Sequence, residues 1–277
     1  VRGWEWELSV VLSKGVELST LLVYFNPFLF YNISMLELNK IYQGDCLEIM
    51  KDIPDKSIDM ILCDLPYGTT ACKWDTIIPF EPLWEQYKRI IKDNGAIVLT
   101  ASQPFTSALV MSNPDMFKYE WIWEKTIASN FMLSKKQPQK KHENILVFYK
   151  EQPKINLQME VGKPYKDTVR KRTVGIHNQE TTKKAIENKG TRYPSSVQKI
   201  NSISEGLHPT QKPVALFEYL IKTYTNEGDL VLDNCAGSGT TGVACKNLGR
   251  NFILIEKEPE YVKICEDRIK SISNPLF

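Results

Sequence analysis

The chain has 277 residues, 42% hydrophobic and 25% charged, a length and balance that suit one large α/β domain or a core domain with an insertion and exclude a globally disordered or fibrous chain. Its formal charge of +2 sums two regions of opposite sign: Lys135 to Lys199 holds 16 Lys and Arg against 6 Asp and Glu, and the remainder 19 against 27. Such asymmetry fits a polyanionic partner, or else a solvated lysine-rich surface.

Residues 1–34 come first. Leu21–Phe25 and Phe28–Tyr31 are apolar but split by Asn26-Pro27, far short of the ~20 residues of a membrane span. Glu5 and Glu7 argue against a signal peptide. We expect this segment to be an upstream extension outside the working fold, which starts at Met35.

Lys40–Gln43 reads as a strand ending at Gly44-Asp45, and Ser57–Cys63 as a buried parallel strand closed by Asp64-Leu65-Pro66-Tyr67-Gly68. Pro82 to Lys92 has helical spacing, with Asn94-Gly95 as its expected stop. Ala96–Thr100 predicts a strand, Phe105–Met111 a helix and Asn144–Tyr149 a strand. From Lys150 to Leu207 periodicity fades into lysines, prolines and polar residues. Pro213 opens a helix over Val214–Tyr224. Strand Leu230–Leu232, a glycine-rich turn, helix Thr240–Leu248, strand Asn251–Ile255 and helix Glu258–Ile272 complete the chain. Strand and helix alternate at both ends, so the expected fold is α/β, a doubly wound, mostly parallel sheet interrupted by a basic insertion. The expected divisions are 1–34, 35–149, 150–207 and 208–277.

Cys46, Cys63, Cys72, Cys235, Cys245 and Cys265 form no C-x-x-C pair, and the three histidines stand far apart, so no zinc site is expected. Cys63 and Cys235 read as ordinary buried thiols, and the protein as one of a reducing, cytoplasmic compartment.

Gly237, Gly239 and Gly242 match G-x-G-x-x-G between a strand and a helix, and Glu256 ends the next strand. Glycine there lets backbone approach a ligand, and a carboxylate so placed accepts ribose hydroxyls. The bland alternative is a structural strand–turn–helix joint. A nucleoside-containing ligand is the better reading, whether a nicotinamide or flavin dinucleotide or S-adenosylmethionine.

The Asp64-Leu65-Pro66-Tyr67 turn closes a strand at the edge where open α/β folds bind ligands. Methylating an exocyclic amine requires drawing its lone pair out of ring conjugation, which two fixed acceptors on the N–H protons achieve. Asp64 can supply one and the Leu65 carbonyl, rigidified by Pro66, the other, while Tyr67 can stack on a base removed from its helix.

These residues carry a resemblance. Asp64-Leu65-Pro66-Tyr67 looks like the catalytic Asp-Pro-Pro-Tyr of amino-methylating DNA methyltransferases, and Asp233 to Thr241 like their S-adenosylmethionine loop. His208-Pro209-Thr210-Gln211-Lys212-Pro213 resembles the motif before that loop, and Gly44-Asp45-Cys46 the acidic turn near the cofactor adenine. Catalytic motif first and cofactor motif last is the order of the β class. Leu65 departs from the family's usual proline, which bears on loop rigidity rather than on the carbonyl contact. The resemblance implies a Rossmann-like fold and S-adenosylmethionine as cofactor. It places Asp233, Gly237, Ser238, Gly239, Thr240 and Thr241 around the methionine end and Glu256 on the ribose. Asp45 and Cys46 would sit by the adenine, with His208, Thr210 and Lys212 at the methionine end, Lys212 facing its carboxylate. Aspartate at the first position points to adenine N6; cytosine N4 is the alternative. A cysteine nucleophile for C5 chemistry is absent from the pattern, since no proline precedes a cysteine.

The resemblance makes Lys150–Leu207 the target-recognition region. Lys166, Arg170, Lys171, Arg172, Lys183, Lys184 and Arg192 are its candidate DNA contacts, the lysines on phosphates and Arg170, Arg172 and Arg192 on guanine edges. Tyr165, Tyr193 and His177 could line the same face. Double-stranded DNA is the expected partner, with a cognate restriction endonuclease and a homodimer left open. A nucleotide-dependent oxidoreductase and a catalytically inactive DNA-binding module remain the competing readings.

Overall fold

The computed structural model describes residues 36–70, 72, 75–167, 171–174, 179–182, 186–203 and 211–272, with backbone alone at 171–174, 179–182 and 186. In chain order these form β1 (Lys40–Gln43), α1 (Cys46–Ile49), β2 (Ile58–Cys63), α2 (Phe80–Ile90), β3 (Ile91–Ala101), α3 (Phe105–Ser112), β4 (Phe117–Ser129) and β5 (Lys140–Phe148). Six short strands follow: β6 (Glu160–Val161), β7 (Tyr165–Asp167), β8 (Lys171–Val174), β9 (Gln179–Thr182), β10 (Ile186–Asn188) and β11 (Thr191–Arg192). Then come β12 (Val197–Ile200), α4 (Val214–Tyr224), β13 (Leu230–Asp233), α5 (Thr240–Leu248), β14 (Asn251–Glu256) and α6 (Pro259–Ser271).

Eight strands make one sheet in the order β1-β14-β13-β2-β3-β5-β4-β12. The first five run parallel; β5 is antiparallel to both β3 and β4, and β12 is parallel to β4. This is the expected doubly wound, mostly parallel sheet. Alternation along β2 shows why its apolar run is continuous. Ile61 and Cys63 face a layer with Leu83, Trp84 and Tyr87 of α2 and Phe105 of α3. Met60 and Leu62 face the opposite layer with Leu216, Phe217 and Leu220 of α4. A strand covered on both faces has no polar side to show. The sheet belongs to a unit spanning Leu36–Phe277; the expected extension over residues 1–34 lies outside the described residues. Among the described residues no helix is long and apolar enough to cross a membrane.

Three expectations change. Asn94-Gly95 does not stop a helix: α2 ends at Ile90, Ile91 is already extended, and Asn94-Gly95 lies inside β3. Gly95 is needed because a Cβ there would stand 2.9 Å from the Asp59 carbonyl oxygen, where the β2–β3 register shifts. Strand β4 was not foreseen, although Phe117, Tyr119, Trp121 and Trp123 alternate along it. The polar insertion is also more ordered in pairing than its fading periodicity suggests. β6 pairs with β11, β7 with β10 and β8 with β9, all antiparallel, three two-stranded pairs nested in sequence that together form a ribbon. β12, inside the expected insertion, is the outermost strand of the main sheet.

Candidate active site

Four neighbouring parallel strands bring acidic residues to one edge of the sheet: Asp45 beyond β1, Glu256 ending β14, Asp233 ending β13 and Asp64 beyond β2. β13 continues through α5 to β14 on one side, and β2 through α2 to β3 on the other. The crevice between β13 and β2 is therefore the switch point at which open α/β sheets bind ligands. A cleft of about 1010 Å³ opens there, lined by Asp45, Asp64, Asp233, Gly237 and Glu256 among others.

The Asp64 carboxylate is anchored by three donors. Its Oδ1 accepts from the Tyr67 hydroxyl at 2.7 Å and from the Thr100 hydroxyl, and its Oδ2 from Lys212 Nζ at 2.6 Å. Lys212 is buried and lies 3.4 Å from Glu143 Oε2, and Glu143 in turn pairs with Lys125. Lys125, Glu143, Lys212 and Asp64 thus form a line of alternating charge. Burial alone would push the Lys212 ammonium down, but the Asp64 and Glu143 carboxylates hold it above its ordinary value. Burial and the neighbouring Asp64 charge push the Tyr67 phenol well up, so it serves as a donor. The Tyr67 ring stacks on Phe105, centroids 5.2 Å apart.

Leu65 turns its side chain into the core, which gives this departure from proline a packing role. Beyond the turn, Asp75 accepts the N–H groups of Gly68, Thr69 and Thr70 at 2.7–2.9 Å. Burial works against that carboxylate, yet the hydrogen bonds prevail and hold it below its ordinary value.

The glycine loop is built differently. Asp233 is buried, accepts from the Cys235 N–H at 3.1 Å and takes the Thr241 hydroxyl; burial pushes its carboxyl up to about 7 despite those bonds. Glu256 Oε2 accepts the Gly237 N–H at 2.7 Å and Oε1 the Glu258 N–H at 2.9 Å. Arg268 of α6 donates to the Ser238 carbonyl at 2.5 Å and to its hydroxyl at 2.9 Å. Asp45 caps α1, accepting from Leu47 N at 2.9 Å, with Cys46 beside it on the cleft wall.

Several expected residues thus stand elsewhere than foreseen. Thr241 is fully buried and committed to Asp233, so it positions the loop and does not line the cleft. Gly239 also lies off the cleft wall: with φ +79, its Cβ would meet Cys265 Sγ at 2.3 Å, and a Cβ on Gly242 would meet Ile269 at 2.6 Å. Both glycines thus admit the close approach of helix α6. Lys212 lines the cleft as expected, and there it pairs with Asp64. Gly237, Ser238, Thr240, Asp45, Cys46, Asp233 and Glu256 do line the cleft with Asp64, Leu65, Pro66 and Tyr67. Arg192 is spent within the ribbon, stacked on Tyr165 and bonded to Asn188 Oδ1 at 2.6 Å, so it does not present a free fork to a base. Lys166 pairs with exposed Glu187. His208, Thr210, Arg170, His177, Lys183 and Lys184, and the side chains of Lys171 and Arg172, lie outside the described residues.

Thr100, Glu143, Lys125 and Arg268 were missed. Thr100 had a signal, a polar residue closing the apolar run of β3 next to β2. Glu143 and Lys125 sit on antiparallel strands, where no local pattern marks them.

A family model described as DNA methylase, of the N6/N4 methyltransferases, matches residues 58–267. The chain is 30% identical over 251 residues to the Type II methyltransferase M1.MboII of Moraxella bovis, covering 82% of this chain and 95% of that one. It is 31% identical over 268 residues to the Type II methyltransferase M.HinfI of Haemophilus influenzae, covering 86% and 70%. Among solved structures, M1.HpyAVI in complex with S-adenosylmethionine aligns with TM-score 0.57 and 28% identity over 83% of this chain and 98% of that one. PvuII DNA methyltransferase, described as cytosine-N4-specific, shares the fold with TM-score 0.61 at 19% identity, covering 86% and 87%.

Proposed function

The chain belongs to the N6/N4 family of DNA methylases, and on that premise we propose that it methylates N6 of an adenine flipped out of duplex DNA. The single observation that carries the choice of adenine is the residue heading the catalytic turn: it is Asp64, and the resemblance associates aspartate there with adenine. A fold shared with a cytosine-N4-specific protein does not discriminate, so cytosine N4 remains the second reading.

The cofactor is S-adenosylmethionine, and the cleft suits it: seven carboxylates line the wall against four lysines, a surface fit for a cation. When bound, it supplies the methyl group on a sulfonium. Gly237, Ser238 and Thr240 would hold the methionine end, Glu256 the ribose, and Asp45 and Cys46 the adenine.

The chain's own residues prepare the amine. A carboxylate offers about four acceptor positions, and Tyr67, Thr100 and Lys212 take three of those on Asp64. The fourth can accept one amine N–H while the three anchors fix its direction. The Leu65 carbonyl takes the other N–H, its backbone restrained by Pro66 and by the buried Leu65 side chain. Tyr67, backed by Phe105, offers a stacking surface for the base. Once methylated, the amine is strongly acidic and releases a proton, which Asp64 is placed to receive. On the DNA side, Lys166, Arg170, Lys171, Arg172, Lys183, Lys184 and Arg192 belong to the arm we assign to target recognition. A restriction partner and a homodimer stay with this proposal, the first suggested by the Type II relatives.

Incubation with labelled S-adenosylmethionine and mixed-sequence duplex DNA, followed by nucleoside analysis, tests it. Label in N6-methyladenine is the expected result; label in N4-methylcytosine overturns the adenine assignment, and no label in DNA overturns the activity.

A further inference from the structure

The hairpin joining β4 to β5 ends in an apolar tip. Phe131, Met132 and Leu133 form one 3-10 turn, entered through Asn130 in the left-handed conformation with φ 64. Phe131 is 76% exposed and Met132 93%. The backbone needs no partner to hold this shape: Leu133 N donates to the Asn130 carbonyl at 2.9 Å, Ser134 N to Phe131 at 3.1 Å and Lys136 N to Leu133 at 2.8 Å. Two large apolar side chains are therefore presented to solvent on a preformed turn.

Position and charge say what covers them. Ile127 to Asn130, the strand end leading into the tip, line the same cleft as Asp64, so the tip stands on its rim. From Lys125 to His142 there is no acidic residue and there are five lysines. Lys135 and Lys136, directly after the tip, are exposed and pair with no carboxylate among the described residues. Apolar groups flanked by free cations suit a partner with a charged exterior and an apolar stacked interior, which is duplex DNA. Proteins that open a base step fill it with Phe, Leu or Met wedges, and removing a base from the stack leaves a gap to fill.

We propose that Phe131 and Met132 enter the duplex beside the target base and occupy the space it vacates, while Lys135 and Lys136 rest on flanking phosphates. This rests on the reading that the cleft receives a flipped base. The tip then stabilises the opened duplex, and Asp64 and Tyr67 act on the base it has released.

The test compares two duplexes carrying the modified site, located by sequencing DNA treated with the protein. In one the target base is paired; in the other it faces an abasic position and is already free to leave. For a Phe131→Ala/Met132→Ala variant, single-turnover methyl transfer should fall about tenfold or more on the paired duplex and about threefold or less on the unpaired one. Equal losses on both duplexes, no loss on either, or a loss traced to a changed oligomeric state overturns the wedge. Should the wild-type protein modify cytosine, the adenine assignment fails, while the same pair of duplexes built on that cytosine still reads the wedge.

Discussion

The two turns that face each other across the β13–β2 crevice are held in opposite ways. The Asp64 turn is fixed from afar: Thr100 comes from β3, Lys212 from the entry to α4, and behind Lys212 stand Glu143 of β5 and Lys125 of β4. The Gly237 loop is fixed close to home, by Asp233 on Cys235 and Thr241, by Glu256 on Gly237, and by α6 seated against Gly239 and Gly242. One turn depends on a hydroxyl and three charges gathered from distant parts of the chain, and the other on the fit of a helix to bare backbone. Damage to the first should show as lost turnover, and damage to the second as lost stability.

The largest expected effect breaks the charged turn at its head. In the proposed mechanism Asp64→Asn weakens the acceptor that aims the amine, so transfer should fall about a thousandfold in labelled-methyl assays, with cofactor affinity by calorimetry unchanged. Next, Gly239→Ala attacks the fitted loop. A Cβ at φ +79 and 2.3 Å from Cys265 Sγ should cost roughly 3 kcal/mol in denaturant melts, and adding Cys265→Ala should recover part of it.

A third expectation concerns pH. Asp233 carries a carboxyl raised by burial to about 7 in the folded chain. Below the ordinary carboxylate range both folded and unfolded chains hold that proton; between there and about 7 only the folded chain does. Thermal stability should therefore decline as pH rises through that window, and Asp233→Asn should flatten the decline. The smallest effect sharpens the contrast: Thr100→Val removes one of three anchors on Asp64 and should lower turnover about tenfold, with the melting temperature nearly unmoved.

The same contrast explains what could be read before folding. Strands β2, β13 and β14, and the Asp64 and Gly237 turns, are local patterns of apolar runs closed by turn residues, and they stand where the periodicity put them. The reason for Gly239 was not local. Its motif announced a close approach, but the approaching body is Cys265, a residue 26 positions later in the chain. Lys212 was recognisable as part of a motif, yet its partner Asp64 lies 148 residues away, and nothing in the neighbourhood of either residue encodes that distance. Glu143 and Lys125 sit on strands paired antiparallel, one of which escaped prediction, so their meeting could not be foreseen. Trp121 and Trp123 do carry a local signal, the alternation of Phe117, Tyr119, Trp121 and Trp123 along one strand.

The ribbon of β6 to β11 has a further consequence. Each of its strands pairs only with another strand of the same ribbon, so no ladder of the eight-stranded sheet depends on it. Its length and sequence can therefore drift without breaking a ladder of that sheet, the tie between them being side-chain bonds such as that from Gln198 of β12 to Glu160 of β6 at 3.0 Å. In evolutionary terms, on the proposal that this arm reads the target, it is a cassette: a lineage could acquire a new address on the genome by exchanging some thirty residues while the chemistry is inherited intact.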